Sequence, residues 1–557
     1  MKYIEHNTDL CVIGGGIAGM CTAISAARHG IKVVLMQDRP VLGGNASGEI
    51  RMWVCGADGQ DVRETGIVEE LMLENYYRNS NHSYSIWDSV LYEKVRYQEN
   101  ITLLLNCSCH DAKVENGHIV NVKGWQLTTE TFHTVHAKFF ADCSGDSILA
   151  PLTGAAYMVG REARSEFGES IAPETADKKT MGMSCLFQVR ETENPSPFIR
   201  PEWAYEYPDD SYLPFRDHEF DLDNNFWWME LGGLADSIHD TEELKDELLK
   251  IAFGVWDHIK NKGDHGYSNW DLDWVGFVPG KRESRRYKGK HIITQNDVEA
   301  EGKFEDTVAY GGWTMDDHFP EGFYYTKGTS TVWHPAPSPW GIPWRSLISE
   351  NIDNLCFAGR NISTTHVALS SSRVMATCGV IGQALGTGVA QIVKAGKDLE
   401  SIDISALQKA LLDDDCFIPR ITREPTELTK KARVNTETIR SGIDRGDENV
   451  FVGDLVTFEF EEPEKIEGIR LIFDSNLNRE YDNMPSHFRL HEDSYFLPKT
   501  LVKKYEIYAD GSLVMTVDNN HQRFCRHSLS VTAKKLEVRL VETHGEKEKR
   551  IYAVDIY

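Results

Sequence analysis

The sequence predicts an α/β fold followed by a separate β-rich region, and three observations carry that prediction. The first is an apolar run, Leu10-Cys11-Val12-Ile13, that leads into a glycine-rich turn and then into a helix of small residues. The second is another apolar run, 31–36, which completes a strand, turn, helix, strand unit. The third is a series of short alternating segments from residue 450 onward, broken by turn residues and with few helix signals.

The glycine-rich turn has the spacing of a dinucleotide-binding fingerprint. Gly14 permits the tight turn, Gly16 lets the backbone approach a pyrophosphate, and Gly19 lets helix and sheet pack closely. The helix N-terminus adds N–H donors and partial positive charge. We therefore expect a dinucleotide at this turn.

The end of the second strand departs from the usual fingerprint. An acidic residue normally binds the adenosine ribose at this place, but Gln37 stands here and Asp38 follows it. Gln37 can donate to and accept from ribose hydroxyls. The sequence leaves open which of the two residues makes the contact.

Four further stretches resemble FAD-dependent oxidoreductases of the glutathione-reductase superfamily. Asp38 to Ser47 is similar to the segment after the second strand, and Phe139 to Asp146 is similar to an apolar strand with an A-[TS]-G-D turn. Asn354 to Asn361 resembles the late strand that ends in A-G-R, and Ser372 to Gly379 opens a helix. On these matches the chain is identified as a member of the FAD-dependent oxidoreductase family of bacterial carbohydrate-associated flavoproteins.

The resemblance implies an FAD cofactor and a set of residues that contact it. The expected residues are Gly14, Gly16, Ile17, Ala18, Gly19, Gln37, Asp38, Arg39, Gly43, Gly44, Asn45, Ala46, Ser47, Ser144, Gly145, Asp146, Gly359, Arg360 and Gly379. Gly359 would bring backbone close to the pyrophosphate, and the helix near Gly379 would direct its positive end at the flavin pyrimidine. Asp146 is either the acid of the late FAD-contacting turn or a plain turn carboxylate.

The chain divides into five segments. The resemblance implies the first part of a glutathione-reductase-like Rossmann domain that binds FAD at 1–155, an inserted α+β substrate domain at 156–340, and the second part of the FAD domain at 341–400. A helical linker, 401–420, precedes a β-sandwich at 421–557 that resembles galactose-binding-like domains. That domain either binds sugar or only caps the enzyme or forms an oligomer contact.

Composition excludes several classes of partner. The 557 residues carry a formal net charge of −27, which argues against binding to nucleic acid or to an anionic membrane. The start of the chain lacks the basic and apolar regions of a signal peptide, and no apolar run approaches the length of a bilayer span. We expect a cytoplasmic protein, and the sequence leaves open a homo-oligomer.

Cysteine usage points to neither a disulfide framework nor a metal site. The 11 cysteines include no C-x-x-C pair, which argues against a dithiol flavoenzyme. Cys107 and Cys109, next to His110, have metal-ligating side chains, but no second ligand pair accompanies them. We therefore predict no metal.

Since a flavin carries the hydride chemistry, the protein needs to supply orientation and a proton acceptor or donor. His366 is the first choice, because a neutral imidazole there could take a hydroxyl proton; otherwise it only hydrogen-bonds the cofactor or the loop. Arg373 and Arg51 either clamp substrate or bridge to acids within the protein. His334 is the second base candidate.

The leading hypothesis is an FAD-dependent oxidoreductase that oxidises a secondary alcohol of a small carbohydrate-like substrate and passes electrons to an unknown acceptor. Trp227, Trp228, Trp340 and Trp344 could stack on sugar or belong to the core. Two other enzymes stay open: a redox-neutral lyase acting through transient oxidation, and an ene-reductase or dehydrogenase of a carboxylate. Outside enzymes, the alternative is a sugar-binding protein with a vestigial flavin domain.

Overall fold

The computed structural model describes residues 1–218, 225–263, 265–479, 484–491 and 496–557, and these form two compact units. The first unit comprises Met1–Gly56, the described residues from His82 to Ile402, and residues 484–491. The second unit comprises Ala57–Asn81, residues 403–479 and residues 496–557. Each unit therefore collects pieces of chain that are distant in sequence.

The helices of the described residues are α1 (Ile17–Arg28), α2 (Ile67–Arg78), α3 (Tyr84–Arg96), α4 (Leu149–Thr153), α5 (Arg164–Phe167), α6 (Thr241–Asp257), α7 (Gln295–Glu299), α8 (His366–Ser372), α9 (Met375–Ala395), α10 (Ile404–Asp413) and α11 (Glu427–Lys431). The strands are β1 (Lys2–Ile13), β2 (Val33–Met36), β3 (Ile101–Leu104), β4 (Cys107–Glu115), β5 (His118–Gln126), β6 (Thr131–Asp142), β7 (Tyr157–Met158), β8 (Met183–Ser184), β9 (Phe187–Glu191), β10 (Glu230–Leu231), β11 (Trp270–Val275), β12 (Gly280–Lys281), β13 (Arg286–Tyr287), β14 (Thr307–Gly311), β15 (Met315–His318), β16 (Thr331–His334), β17 (Trp340–Pro343), β18 (Leu355–Phe357), β19 (Arg433–Val434), β20 (Phe451–Val452), β21 (Leu455–Phe473), β22 (Val502–Ala509), β23 (Ser512–Val517), β24 (Phe524–Thr543) and β25 (Arg550–Ile556).

The main sheet of the first unit has the order β3-β2-β1-β6-β5-β4, with β18 paired to β6. Its β1, β2, β3, β6 and β18 run parallel, whereas β4, β5 and β6 form an antiparallel meander. Leu10–Ile13 are buried, as a strand covered on both faces requires. The first half of β1, which the sequence analysis did not assign, pairs with β6 from Lys2 opposite Thr131. The prediction of a Rossmann-like α/β fold is confirmed.

Helix α9 packs against α1 through glycines. A Cβ at Gly382 would lie 2.1 Å from the carbonyl oxygen of Ala18, and one at Gly386 would lie 2.2 Å from that of Thr22. Such contacts are too short for any side chain, so the two helices approach backbone to backbone. Although α9 has the length and apolarity of a bilayer span, 89% of its most apolar window is buried within the fold, as in a core helix.

Helices α8 and α9 replace the single helix expected to open near Ser372. The break falls at Arg373 and Val374, where Val374 takes an extended conformation with φ −65° and ψ 147°. The interruption lets α8 begin at His366, with Thr365 as its N-cap residue. It thereby gives the region two helix N-termini instead of one.

The inserted part of the first unit consists of short strands around an aromatic core. Helix α6 buries its apolar face in a cluster that includes Phe187, Phe226, Trp228 and Trp256. Residues 485–490 complete this region, since the Phe488 backbone exchanges hydrogen bonds of 2.8 and 3.0 Å with β9.

The second unit is built on a seven-stranded sheet of order β20-β25-β21-β24-β22-β23, with β19 paired to β21. The expectation of short segments from residue 450 onward is corrected over Leu455–Phe473, which forms the single 19-residue strand β21. The Glu459–Glu464 stretch, which includes Pro463, shifts the register against β24 without ending the strand. Helix α2 also belongs to this unit, where buried Glu69 pairs with Arg479 at 2.6 Å.

Candidate active site

The glycine turn between β1 and α1 forms a bare backbone cradle. Gly14 has φ +99°, and a Cβ there would lie 2.4 Å from the carbonyl oxygen of Cys143. Gly19 is closer still, with a Cβ position 1.9 Å from the Gly14 carbonyl oxygen. Gly16 differs, because a Cβ there would meet nothing nearer than 3.8 Å. Two of the glycines therefore serve packing, while Gly16 leaves its surface open to a ligand.

A second glycine turn lies directly against the first. The Gly43 N–H donates to the Gly15 carbonyl at 2.8 Å, and a Cβ at Gly44 would lie 3.1 Å from Gly16 Cα. Gly43 has φ +104° and Gly44 φ +60°, conformations that glycine adopts at little cost. The short helical turn that follows, Gly44–Ala46, is held by the Trp87 indole N–H donating to the Ala46 carbonyl at 2.8 Å.

The side chain of Gln37 closes the first turn. Its Oε1 accepts from the Gly15 N–H at 2.7 Å and its Nε2 donates to the Val41 carbonyl at 3.1 Å. Asp38, by contrast, is exposed. Gln37 thus has a structural task that a carboxylate could perform only in part, since a carboxylate has no N–H to donate.

Arg39 and Glu49 leave polar atoms unpaired near this turn. Arg39 Nη1 lies 3.6 Å from Glu49 Oε2, which is too long for a hydrogen bond, and both atoms are buried without another hydrogen-bond partner. Buried polar groups normally have partners. Hydroxyl groups of a bound ligand can donate to one atom and accept from the other.

The late strand β18 brings Gly359 and Arg360 to the same region. A Cβ at Gly359 would lie 3.5 Å from the Cβ of Ala18 in α1. Arg360 pairs with Asp146 at 3.0 Å and fills the space beside Gly145, while its Nε has no hydrogen-bond partner. Although burial opposes its ionisation, Arg360 and Lys281 lower the pKa of Asp146. Asp146 is therefore an anchored carboxylate rather than a free turn residue.

These features fit a dinucleotide such as FAD. The open surface at Gly16, the adjoining Gly43–Gly44 turn, and the unpaired atoms of Arg39, Glu49 and Arg360 are the groups that could hold it. The sequence model of the family described as "FAD dependent oxidoreductase" matches residues 9–411.

The chain belongs to the FAD dependent oxidoreductase family. Membership confirms the predictions of an FAD cofactor and of an FAD-dependent oxidoreductase enzyme. It identifies neither the substrate nor the electron acceptor.

Other similarities of this flavoprotein are partial. A glycerol-3-phosphate dehydrogenase of Mycobacterium leprae (strain TN) is 33% identical over 73 residues, which are 13% of this chain and only 12% of that relative's length. A geranylgeranyl bacteriochlorophyll reductase-like protein from Thermoplasma acidophilum covers 74% of this chain and 85% of its own, with 12% identity and a TM-score of 0.32. A family 32 carbohydrate-binding module from Streptococcus pneumoniae EndoD covers 24% of this chain and 99% of its own, with 15% identity and a TM-score of 0.19. Neither structural likeness is close enough to carry an argument.

His366, the first catalytic candidate, lies buried at the start of α8 between two carboxylates. Its Nδ1 lies 2.9 Å from Glu283 Oε2 and its Nε2 lies 3.1 Å from Asp317 Oδ1. Burial by itself would lower the pKa of His366, but Glu283 and Asp317 raise it to about 10. The ring is therefore an imidazolium with both nitrogens occupied, in contrast to the neutral proton acceptor that the sequence analysis expected.

Arg373 bridges to an acid, the structural alternative for this residue. Its Nη2 donates to Asp316 Oδ2 at 2.9 Å, and its buried Nε has no hydrogen-bond partner. Asp316 is also 3.5 Å from His318, whose Nδ1 lies 2.6 Å from Glu230. Arg282 lies 3.5 Å from that same Glu230.

The remaining two candidates take different positions. Arg51 has φ 61°, lies between the rings of Tyr84 and Trp274 at 4.7 and 4.4 Å, and donates to Gln188 at 2.8 Å. Arg51 therefore holds side chains of the first unit together. His334 is half-buried at the end of β16, opposite Met315 of β15.

Sequence reasoning missed the acids that surround His366. Glu283 lies in an arginine-rich segment, where it also pairs with Arg286, and no motif identifies Asp317. Three of the four tryptophans follow the core alternative: Trp228, Trp340 and Trp344 are 5%, 0% and 2% exposed. Trp340 and Trp344 also donate their indole N–H within the fold. These rings are core residues and are not available to stack on a sugar.

Proposed function

We propose that this flavoprotein oxidises a secondary alcohol of a small carbohydrate-like substrate. Bound FAD would supply the hydride acceptor at N5. The observation that carries the proposal is the arrangement of His366 between Glu283 and Asp317. Of these three, only Asp317 has a substantially exposed side chain, at 29%. Of these three side chains, Asp317 is therefore the one that a substrate hydroxyl would approach.

The proton balance of the oxidation assigns a role to each member. Removal of a hydride from the carbinol carbon leaves one hydroxyl proton, and the Asp317 carboxylate accepts it. The His366 imidazolium donates a hydrogen bond to that carboxylate and fixes its orientation. Buried Glu283 holds the imidazolium from the other side and keeps it charged.

The same geometry argues against a carboxylate substrate. Recognition of a carboxylate needs an arginine whose charge is not already paired with an acid of the protein, yet Arg373 pairs with Asp316 and Arg282 lies beside Glu230. Arg286 pairs with Glu162 at 3.0 Å and with Glu283 at 3.3 Å. The arginines near His366 are thus already neutralised by acids of the protein.

The carbohydrate part of the proposal rests on the family resemblance of the sequence. We further propose that the second unit is a β-sandwich of the galactose-binding-like type and that it binds sugar. We also propose that the enzyme is cytoplasmic. The second unit has a shallow groove of about 610 Å³ that includes Glu437, Arg440 and Asn449 in its lining. Polar side chains of this kind can hydrogen-bond sugar hydroxyls.

An anaerobic screen of glycosides and sugar alcohols for lasting bleaching of flavin absorbance tests the proposal. With a substrate that bleaches the flavin, Asp317→Asn should lower kcat by about 10²- to 10⁴-fold, because the amide cannot accept the proton. Asp353→Asn, which removes an exposed acid paired with His118, is the matched control and should leave kcat unchanged. Product without lasting bleaching would instead indicate the redox-neutral lyase, and an unaltered kcat in Asp317→Asn would refute the proton path.

A further inference from the structure

A second histidine cluster lies in the first unit and shares no residue with the network around His366. Its members are Asp210, His218, His258 and His265, and one ligand atom from each lies within 4.8 Å of the others. The three imidazole rings form a nearly equilateral triangle, with centroids 4.9 to 5.0 Å apart. We propose that these four side chains bind a divalent transition metal ion, zinc by the character of its ligands, in a structural site.

The three distances among the ligand atoms of Asp210, His258 and His265 are close to those of a tetrahedral site, and His218 lies within 4.8 Å of them. His258 Nε2 lies 3.0 Å from Asp210 Oδ1 and 3.2 Å from His265 Nε2, and His265 Nε2 lies 3.5 Å from Asp210 Oδ1. Zinc bonds of roughly 2.0–2.1 Å to nitrogen and oxygen place tetrahedral ligand atoms about 3.3 Å apart. The three observed separations lie on either side of that value.

The hydrogen bond of His258 leaves the correct nitrogen for a metal. Its Nδ1 lies 2.9 Å from the Tyr207 carbonyl oxygen, which can only accept, so Nδ1 carries the proton. In the neutral ring, Nε2 is then a lone pair directed at the cluster. Metal-ligating histidines commonly use their second nitrogen in this way, since the bond fixes tautomer and ring orientation.

Protons alone do not satisfy this arrangement. A proton lies between two atoms, so it can relieve one of the three close contacts among His258, His265 and Asp210, whereas a central cation relieves all of them. His218 Nε2 is also buried without a hydrogen-bond partner. A bound cation would be the missing partner of His218 Nε2, which would then serve as the fourth ligand.

The chain around the cluster is shaped to bring the ligands together. His258 begins a π-helical turn, His258–Lys262, directly after α6, and such turns are frequent at functional sites. A Cβ at Gly263 would lie 2.2 Å from His265 Nε2, so the absence of a side chain there gives the imidazole its space. The metal would fasten residues 210–218 and His265 to the end of α6.

The test uses the tag-free, full-length, FAD-loaded protein. Elemental analysis should find about one zinc per chain. His218→Gln and His265→Gln should each weaken zinc affinity by at least 100-fold, the upper effect of losing only a partner that orients a ligand. His258 is left intact because its ring is fully buried. His239→Gln, which alters an exposed histidine paired with Asp236, is the control and should retain the metal.

A second readout separates this site from the flavin chemistry. Chelation should lower the thermal midpoint of the wild-type protein and of His239→Gln, and should change that of His218→Gln much less, while flavin content stays the same in all. Tetrahedral Co(II) absorption on reconstitution of the chelated protein would support the four-ligand geometry. Less than a tenth of an equivalent of metal, with no uptake of Zn(II) or Co(II), would overturn the proposal, as would unchanged affinity in both variants.

Discussion

The two histidine clusters of the first unit differ chiefly in how many carboxylates they contain. His366 has Glu283 and Asp317 on its two nitrogens, and together they raise its pKa to about 10. In the other cluster three imidazoles share only Asp210. Burial is the main cause that lowers the pKa of His218 to about 4, and the neighbouring His258 and His265 lower it further. The first arrangement favours the protonated ring, whereas the second brings three imidazole rings together around one carboxylate.

This contrast shows why a buried histidine cannot be assigned a role from its burial alone. Desolvation disfavours the charged ring in both places, and the neighbouring charges decide the outcome. Where acids outnumber histidines the ring becomes part of an ion network. Where histidines outnumber acids the lone pairs are left for a cation.

Among changes that make the two clusters more alike, Glu283→Gln should cause the largest loss of stability. It removes a carboxylate that is 0% exposed in its side chain and lies against both His366 and Arg286. Loss of one partner from a buried ion network costs about 3–5 kcal/mol, because the remaining charge is uncompensated. Chemical denaturation followed by flavin release measures the loss, and the C2–H resonance of His366 should titrate at lower pH. An unchanged titration would show that Glu283 does not stabilise the protonated ring of His366.

A smaller effect follows from pH. Since the pKa of His366 is raised above its ordinary value of 6.5, its stabilising contribution is complete below that value and is lost as pH rises through about 10. The protein should be about 2–3 kcal/mol less stable at pH 9 than at pH 7 from this group. The measurement is the unfolding free energy across that range, with Glu283→Gln as the comparison. A slope equal in both proteins would assign the pH dependence to other groups.

The smallest effect concerns an exposed pair of the same chemistry. His118 Nδ1 lies 2.7 Å from Asp353, but the two side chains are 50% and 66% exposed. His118→Gln should change stability by no more than about 0.2–1 kcal/mol, because solvent screens such pairs. A loss as large as that of Glu283→Gln would mean that burial is not what distinguishes the His366 network.

Local pattern predicted the parts of the fold that depend on neighbours in sequence. The β1, α1, β2 unit follows from apolar periodicity and from the spacing of its glycines. The length of β21 could not be predicted from the sequence, because Pro463 and its acidic neighbours have the composition of a turn. The strand continues through them because it pairs with β24 on both sides.

The site was predictable only where a motif marks it. The Gly14–Gly19 turn was predicted from its spacing, and the Gly43–Gly44 turn and the Gly359 region were predicted from the resemblance to flavoproteins. His366 was predicted from its place after the late strand. Asp317 and Glu283 come from separate segments, and nothing local relates them to His366. The four members of the metal cluster are likewise dispersed, with no paired spacing of the kind that marks a zinc motif.

Residues 484–491 follow much of the second unit in sequence, yet they pack against β9 of the first. No single cut can therefore release either unit intact, and truncation after residue 402 would strip β9 of the Phe488 backbone. During synthesis, the ribosome must pass residue 490 before the inserted region can be finished. Until then, the backbone groups of β9 that bond to Phe488 lack their partner.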